Sequence, residues 1–232
     1  MDDWVSMALM GLVLVFSVWV LLRPPQPPIA QVPGGQVVFE RQNSLPQSAT
    51  ARAGHCKTVR VDSLSPNQKS LHARLPVKLG VRPICLSGNS LFEDRRAHTI
   101  SQATVQLLVD LIAVSDLFLL FKVDGEAEMK AIQLAIRNVP ELTWNPKIQS
   151  GIQTHKLLFC SSVAGKIALV RQIEPVVTIE DNKDVVLGLR PFLPSIVYIN
   201  ATGEILPPAQ STQRENVDTH PSLEAYYKLL TV

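Results

Sequence analysis

The sequence predicts a three-layered α/β domain carried behind a single transmembrane helix. Three observations predict it. From Trp4 to Leu22 the chain reads WVSMALMGLVLVFSVWVLL, without a charge. After Arg23 a proline cluster ends any helix, and the following stretch lacks a sustained apolar period. From about Val81 onward, short apolar runs alternate with segments of helical periodicity, the pattern of a parallel sheet covered on both faces. The expected organisation is an anchor over residues 1–23, a tether over 24–80 and an α/β domain over 81–232.

A helix rises about 1.5 Å per residue, so roughly 20 apolar residues cross the ~30 Å hydrocarbon core. Trp4 and Trp19 lie near the two ends of the run, where indoles favour the interface. Asp2 and Asp3 precede it, and no small-x-small cleavage site follows closely, unlike a secretory signal peptide. Arg23 comes directly after the span, with Arg41, Arg52, Lys57 and Arg60 beyond, so the positive-inside bias predicts a cytosolic C-terminal domain. Asn200-Ala201-Thr202 is a glycosylation sequon that would be silent in that topology; a glycan there would report a secretory-pathway protein instead.

Pro24, Pro25, Pro27, Pro28 and Pro33, followed by Gly34-Gly35, favour extended polyproline geometry. The stretch to about Leu79 is rich in Ser, Gln, Asn, Arg and Pro, and is expected to be a largely disordered tether reaching on the order of 40 Å. Only Gln36 to Gln42 offers a short element.

Within the domain, Val81 to Leu86 is the first expected strand. Thr99 is expected to cap a helix with Gln102 as its capping-box partner, and Val105, Leu108, Val109 and Ile112 give the helix its face. Leu117 to Val123 reads as a central parallel strand. Met129, Ile132, Ile136 and Val139 mark a second helix stopped by Pro140. Residues 141–155 read as a loop with an insert around Trp144. Lys156 to Cys160 is a strand, capped into a helix by Ser161 or Ser162. Val176 to Ile179 and Ser195 to Ile199 are strands flanking a short helix from Asp181 to Leu189. Pro221 is expected to open a last helix carrying Leu223, Tyr226, Tyr227 and Leu230. This gives about four or five mostly parallel strands in a Rossmann-like arrangement.

Composition narrows the chemistry. The chain has 232 residues, 22 Lys and Arg against 20 Asp and Glu, and a net charge of +2, with no basic stripe for nucleic acid. Cys56, Cys85 and Cys160 are odd in number and scattered, which suits a reducing compartment. His55, His72, His98, His155 and His220 show no ligand spacing, so no metal or cofactor is expected. The segment Phe159 to Lys166 (FCSSVAGK) falls between a strand and a helix but misses two motifs. Cys160 stands where a Walker loop needs glycine, and Ile167 where it needs Ser or Thr. Cys160 and Lys166 have the spacing of a cysteine-phosphatase loop, but lysine lacks the bidentate fork of arginine. A phosphatase-like or hydrolase-like enzyme using the Cys160 loop is the alternative reading. A haloacid-dehalogenase-like site needs paired aspartates after the first strand; after Leu117 to Val123 there is only Asp124, which reads as a turn with Gly125. Asp116 lies before that strand, at the wrong end for chemistry. Asp181 and Asp184 read as helix-opening acids.

The stretch KLLFCSSVAGKIALVRQIEP, Lys156 to Pro175, resembles the plant-type peroxisome assembly protein 22 (peroxin twenty-two) family. The positions that carry the resemblance are Leu158, Phe159, Cys160, Ser161, Gly165, Val170, Arg171, Gln172, Ile173, Glu174 and Pro175, with weaker similarity from Val105 to Leu120. They are expected to be structural. The resemblance implies a non-catalytic protein of the peroxisomal membrane, its N-terminus in the matrix and its domain in the cytosol. It implies a partner, the ubiquitin-conjugating enzyme of the import machinery, which the protein holds and helps to activate so that the cargo-import receptor is modified and recycled. The resemblance assigns no partner-contacting residue.

Overall fold

The computed structural model describes residues 59–94, 96–208 and 215–232. The expected span Trp4 to Leu22 and the tether up to residue 58 lie outside the described residues. Among the described residues no helix is long and apolar enough to cross a membrane.

Among the described residues a helix stands where the sequence predicted tether. Helix α1 (Pro66–Arg74) has a full capping box: Gln68 N donates to Ser65 Oγ, and Ser65 N donates to Gln68 Oε1. Pro66 occupies the first turn, where its missing N–H is harmless. Sequence reading missed α1 because its apolar face is little more than Leu71, yet that side chain is fully buried in the core. The folded domain therefore starts before the expected boundary at residue 81.

Strand β1 (Pro83–Ser87) follows, then the short ribbon of β2 (Phe92–Asp94) and β3 (Thr99–Ile100). Helix α2 (Gln102–Val114) is capped by Ser101, whose Oγ accepts from Thr104 N, so the cap falls two residues beyond the expected Thr99. Next come β4 (Asp116–Lys122), α3 (Glu126–Arg137), β5 (Leu157–Cys160) and α4 (Val163–Ile173), with Ser162 as the cap of α4. The chain continues as β6 (Val177–Glu180), α5 (Lys183–Leu189), β7 (Ile196–Ile199), β8 (Val217–His220) and α6 (Leu223–Thr231). Ser222 caps α6, and Pro221 stands before the cap rather than inside the helix.

Among the described residues the sheet has six strands in the order β5-β4-β1-β6-β7-β8, every neighbouring pair parallel. The sixth strand, β8, was not expected, because Val-Asp-Thr-His carries no apolar run; it forms an edge and two of its residues are exposed. Side chains alternate across the sheet. Ile84, Leu86, Leu119, Phe121 and Ile179 pack in one core with residues of α1, α2, α3 and α6. Cys85, Leu120, Ile196 and Tyr198 pack in a second core with α4 and α5. These are the three layers.

One polar group ties the first layer together. Asp110 of α2 is buried and accepts from Gln68 Nε2 of α1 at 2.8 Å, from Gln106 Nε2 at 3.3 Å and from the hydroxyl of Tyr227 on α6. Burial first, then the Asp110 hydrogen bond, pushes the Tyr227 phenol up to about 12. Replacing Leu71 by Ala is expected to lower unfolding free energy by about 2–5 kcal/mol in urea denaturation, as for a core leucine; a tether position would lose almost nothing.

Candidate functional site

In an open parallel sheet, ligands bind beyond the carboxyl ends of the strands where the winding reverses. From β1 the chain builds outward through β4 and β5, then returns to place β6 on the other side of β1. The reversal lies between β1 and β6. Four polar side chains meet there: Ser87 at the end of β1, Glu180 at the end of β6, Asp181 just after it, and Lys166 at the end of the first turn of α4.

Lys166 is only 2% exposed and Glu180 only 1%. Lys166 Nζ donates to Glu180 Oε1 at 2.8 Å and to Ser87 Oγ at 2.7 Å. Ser87 Oγ in turn donates to Asp181 Oδ1 at 2.6 Å. Glu180 Oε1 also accepts from the amides of Asp181 and Asn182, both at 3.1 Å. Asn182 then caps α5 through the amides of Asp184 and Val185. An ammonium near a helix N-terminus opposes the helix dipole, and Glu180 offsets that opposition. Burial pushes the Glu180 carboxyl above the usual range; the Lys166 ammonium pulls it back, and Asp181 adds to the rise.

Over β1 and β4 aromatic rings pack closely. A β-carbon on Gly88 would sit 2.1 Å from the Phe121 ring, so only glycine admits this approach. Phe121 stacks on Phe159 at 5.4 Å between centroids and meets Phe92 at 6.0 Å. Asn89 joins the strand ends, donating to Lys122 O at 3.2 Å and accepting from Lys122 N at 3.0 Å.

The structure relocates several expected residues. As expected from Val81 to Leu86, the first strand of the sheet precedes Leu117 to Val123: it is β1, and Ser87, Gly88 and Asn89 follow its apolar run where a haloacid-dehalogenase-like site needs paired aspartates. Asp124 is at a turn, its amide donating to Glu128 Oε2 at 2.7 Å. Asp116 begins β4 and pairs with Lys156. Asp184 opens α5 as expected, but Asp181 precedes the cap and faces Ser87. Cys160 ends the edge strand, its Sγ 3.5 Å from Phe121 O. Burial pushes its thiol up, and nearby Lys166 lowers it only in part. The ammonium that the spacing assigned to a phosphate grip is bonded to Glu180 and Ser87 instead. Among the described residues, no group of three His, Cys, Asp or Glu could hold a metal ion. Of the other motif positions, Val170 and Pro175 are buried, Leu158, Phe159, Gly165 and Ile173 are half-buried, and Ser161, Arg171, Gln172 and Glu174 are exposed. The Ser87–Lys166–Glu180–Asp181 cluster was missed, although the short run ICLS ending in the turn residues Gly88 and Asn89 marks the strand end.

Chemically, the cluster is internally satisfied: the ammonium is held by a carboxylate, and the serine already donates to another. Replacing Lys166 by Met is expected to lower stability by about 3–5 kcal/mol near neutral pH, since a buried carboxylate is left unpaired. The sign with pH follows from Glu180. A carboxyl raised above its unfolded value of about 4.3 stabilises fully below that value, and the contribution is lost as pH rises through the folded value. Losing the ammonium raises the folded value further. The loss in K166M is therefore expected to shrink as pH falls toward about 5, and K166M/E180L to recover wild-type stability, both read by urea denaturation.

Two comparisons bear on identity. Residues 77–227 match the family described as "Peroxisome biogenesis protein 22, Haloacid dehydrogenase-like domain". The chain is 29% identical over 145 residues to Peroxisome biogenesis protein 22 of Arabidopsis thaliana, an alignment covering 62% of this chain and 47% of that protein. The chain thus matches about half the length of this curated relative. With a match over most of the α/β domain and a sheet of the expected class, the chain belongs to the peroxisome biogenesis protein 22 family.

Proposed function

We propose that this protein serves peroxisome biogenesis as a non-catalytic, membrane-tethered holder and co-activator of a ubiquitin-conjugating enzyme. The family supports the biogenesis role. The observation that carries the non-catalytic reading is the filled switch point. Where a fold of this class places its chemistry, Lys166, Ser87, Glu180 and Asp181 satisfy one another, and Phe121 lies against Gly88. A protein that acts by holding a partner needs rigidity there, not reactivity.

The partner follows from the sequence resemblance. The enzyme would modify the cargo-import receptor at the cytosolic face of the peroxisomal membrane, allowing the receptor to be extracted and reused. Trp4 to Leu22 would fix the protein in the bilayer. Tethering raises a partner's effective concentration near membrane substrates, often to the millimolar range for short linkers.

Affinity purification of the full chain from peroxisomal membranes is expected to recover a ubiquitin-conjugating enzyme. Microscopy is expected to show peroxisomal rings, and protease protection a digestible C-terminal domain. Recovery of no conjugating enzyme, with residence on another membrane, overturns the reading. Cys160→Ala is expected to leave receptor ubiquitination within about twofold of wild type; loss of function with an intact fold would instead favour the Cys160 enzyme.

A further inference from the structure

The two edges of the sheet are finished differently. Strand β8 is a guarded edge: Asp218 and Thr219 are exposed on it, and a charge on an edge strand deters pairing with another chain. Strand β5 has no such guard. Its residues, Leu157 to Cys160, carry no charge, no proline and no bulge against β4, and each is half-buried. Val123 N donates to Cys160 O at 2.9 Å, so Cys160, and by alternation Leu158, turn their backbone groups to β4. Leu157 and Phe159 turn theirs outward, where among the described residues no strand lies. The Leu157 N–H is held by Thr154 O of the preceding turn. Phe159 presents both its N–H and its C=O to the outer side.

These residues open the Lys156 to Pro175 motif, and the switch-point cluster uses none of them. An apolar edge strand left open is a template for another strand. A two-fold interface sets one patch against itself, so the patch must complement itself. Strand β5 does. Antiparallel pairing about an axis through Phe159 sets its N–H on the C=O of Phe159 in the other copy, and the reverse. Leu158 then falls opposite Cys160, and Leu157 opposite Ser161. An axis perpendicular to the sheet keeps each layer on its own side, so the two Phe159 rings form a cross-strand aromatic pair. No charged side chain meets its like. The nearest, Lys156, pairs with Asp116 of its own chain and falls opposite Ser162.

We propose that β5 is the interface through which two copies of this chain pair, joining their sheets antiparallel into one. Self-complementarity selects this occupant. A second copy brings, by symmetry, an extended apolar strand whose outward groups match those of Phe159. To a foreign strand the same uncharged edge offers backbone bonds but no charge by which to select it. The pairing needs no conjugating enzyme, so it stands or falls apart from the reading under Proposed function.

The test uses the full chain in detergent micelles. Light scattering is expected to show a dimer whose share rises with concentration. Leu158→Lys sets an ammonium opposite Cys160 of the other copy and is expected to weaken dimerisation at least tenfold. Its melt is expected to stay cooperative, because the lysine stem still covers the apolar surface beneath a half-buried position. Leu229→Asp, exposed on α6, is expected to dimerise within twofold of wild type. Cross-linking reads the register without depending on a disruptive variant. Residues opposed in a non-hydrogen-bonded pair bring their Cα atoms to about 4.5 Å, within disulfide reach. Leu158→Cys is therefore expected to cross-link to native Cys160 under mild oxidation, and to lose the cross-link when Cys160→Ser is added. The pairing holds only if Leu158→Lys separates the copies and Leu158→Cys cross-links through Cys160. A wild type that stays monomeric at every concentration, or a dimer indifferent to Leu158→Lys, overturns it. A monomeric wild type that captures a conjugating enzyme, and loses it in Leu158→Lys, gives the edge to that enzyme and overturns the pairing while the functional reading stands.

Discussion

The arrangement of this domain depends on one ammonium group. Lys166 leaves a helix N-terminus, where its charge is unwelcome, and ends between the last residues of two neighbouring strands. It meets Glu180, whose carboxylate oxygen also holds the amides leading into α5, and Ser87, whose hydroxyl passes the link to Asp181. Two strands, the helix above them and the start of the next helix thus converge on a few atoms. Buried ion pairs are weak evidence for stability, because desolvation consumes most of the Coulomb attraction. Here the pair specifies geometry. A shift of β6 by one residue relative to β1 would turn Glu180 to the opposite face and leave the ammonium buried without a counter-charge.

The same pair occupies the switch point with side chains bonded to one another. Polar atoms in a substrate site must be able to exchange partners with the substrate, and these are engaged with one another. Beside them, Phe121, Phe159 and Phe92 occupy the end of the sheet, with Gly88 providing the missing β-carbon that lets Phe121 approach. Asn89 completes the seal by imitating a strand pair with Lys122. What would be a mouth in an enzyme of this architecture is built here like an interior.

Much of the fold was legible because apolar periodicity reports burial directly. Leu117 to Val123 and the apolar face of the helix that follows it matched β4 and α3 closely, since a central strand and an amphipathic helix leave strong local patterns. Elements held by few apolar groups were not legible. Helix α1 relies on Leu71 and on hydrogen bonds to partners far along the chain, and β8 is an edge with alternating polar residues. The candidate site was obscured for a related reason. Its members lie at 87, 166, 180 and 181, and no local spacing announces that strand order will bring them together. The paired acids of a haloacid-dehalogenase-like site belong after β1, where the chain carries Ser87, Gly88 and Asn89 instead. Arg171 and Glu174, expected to be structural, are both exposed, which no local spacing in the motif announces.

Helix α1 also sets how the domain would answer a mechanical pull. The earliest described part of the chain does not enter the sheet; it passes first through α1, clasped to α2 by Gln68 and Asp110 and to α6 by Asn67 and Tyr227. Arg74 reaches the carbonyl of Leu229, and Arg82 holds the carbonyl of His72. Tension arriving from the N-terminal side would therefore be spent on this clasp before any strand is stressed. Among the described residues α1 and α6 would take such a load first, like the collar where a cable enters its housing, and the six strands behind them would keep their register.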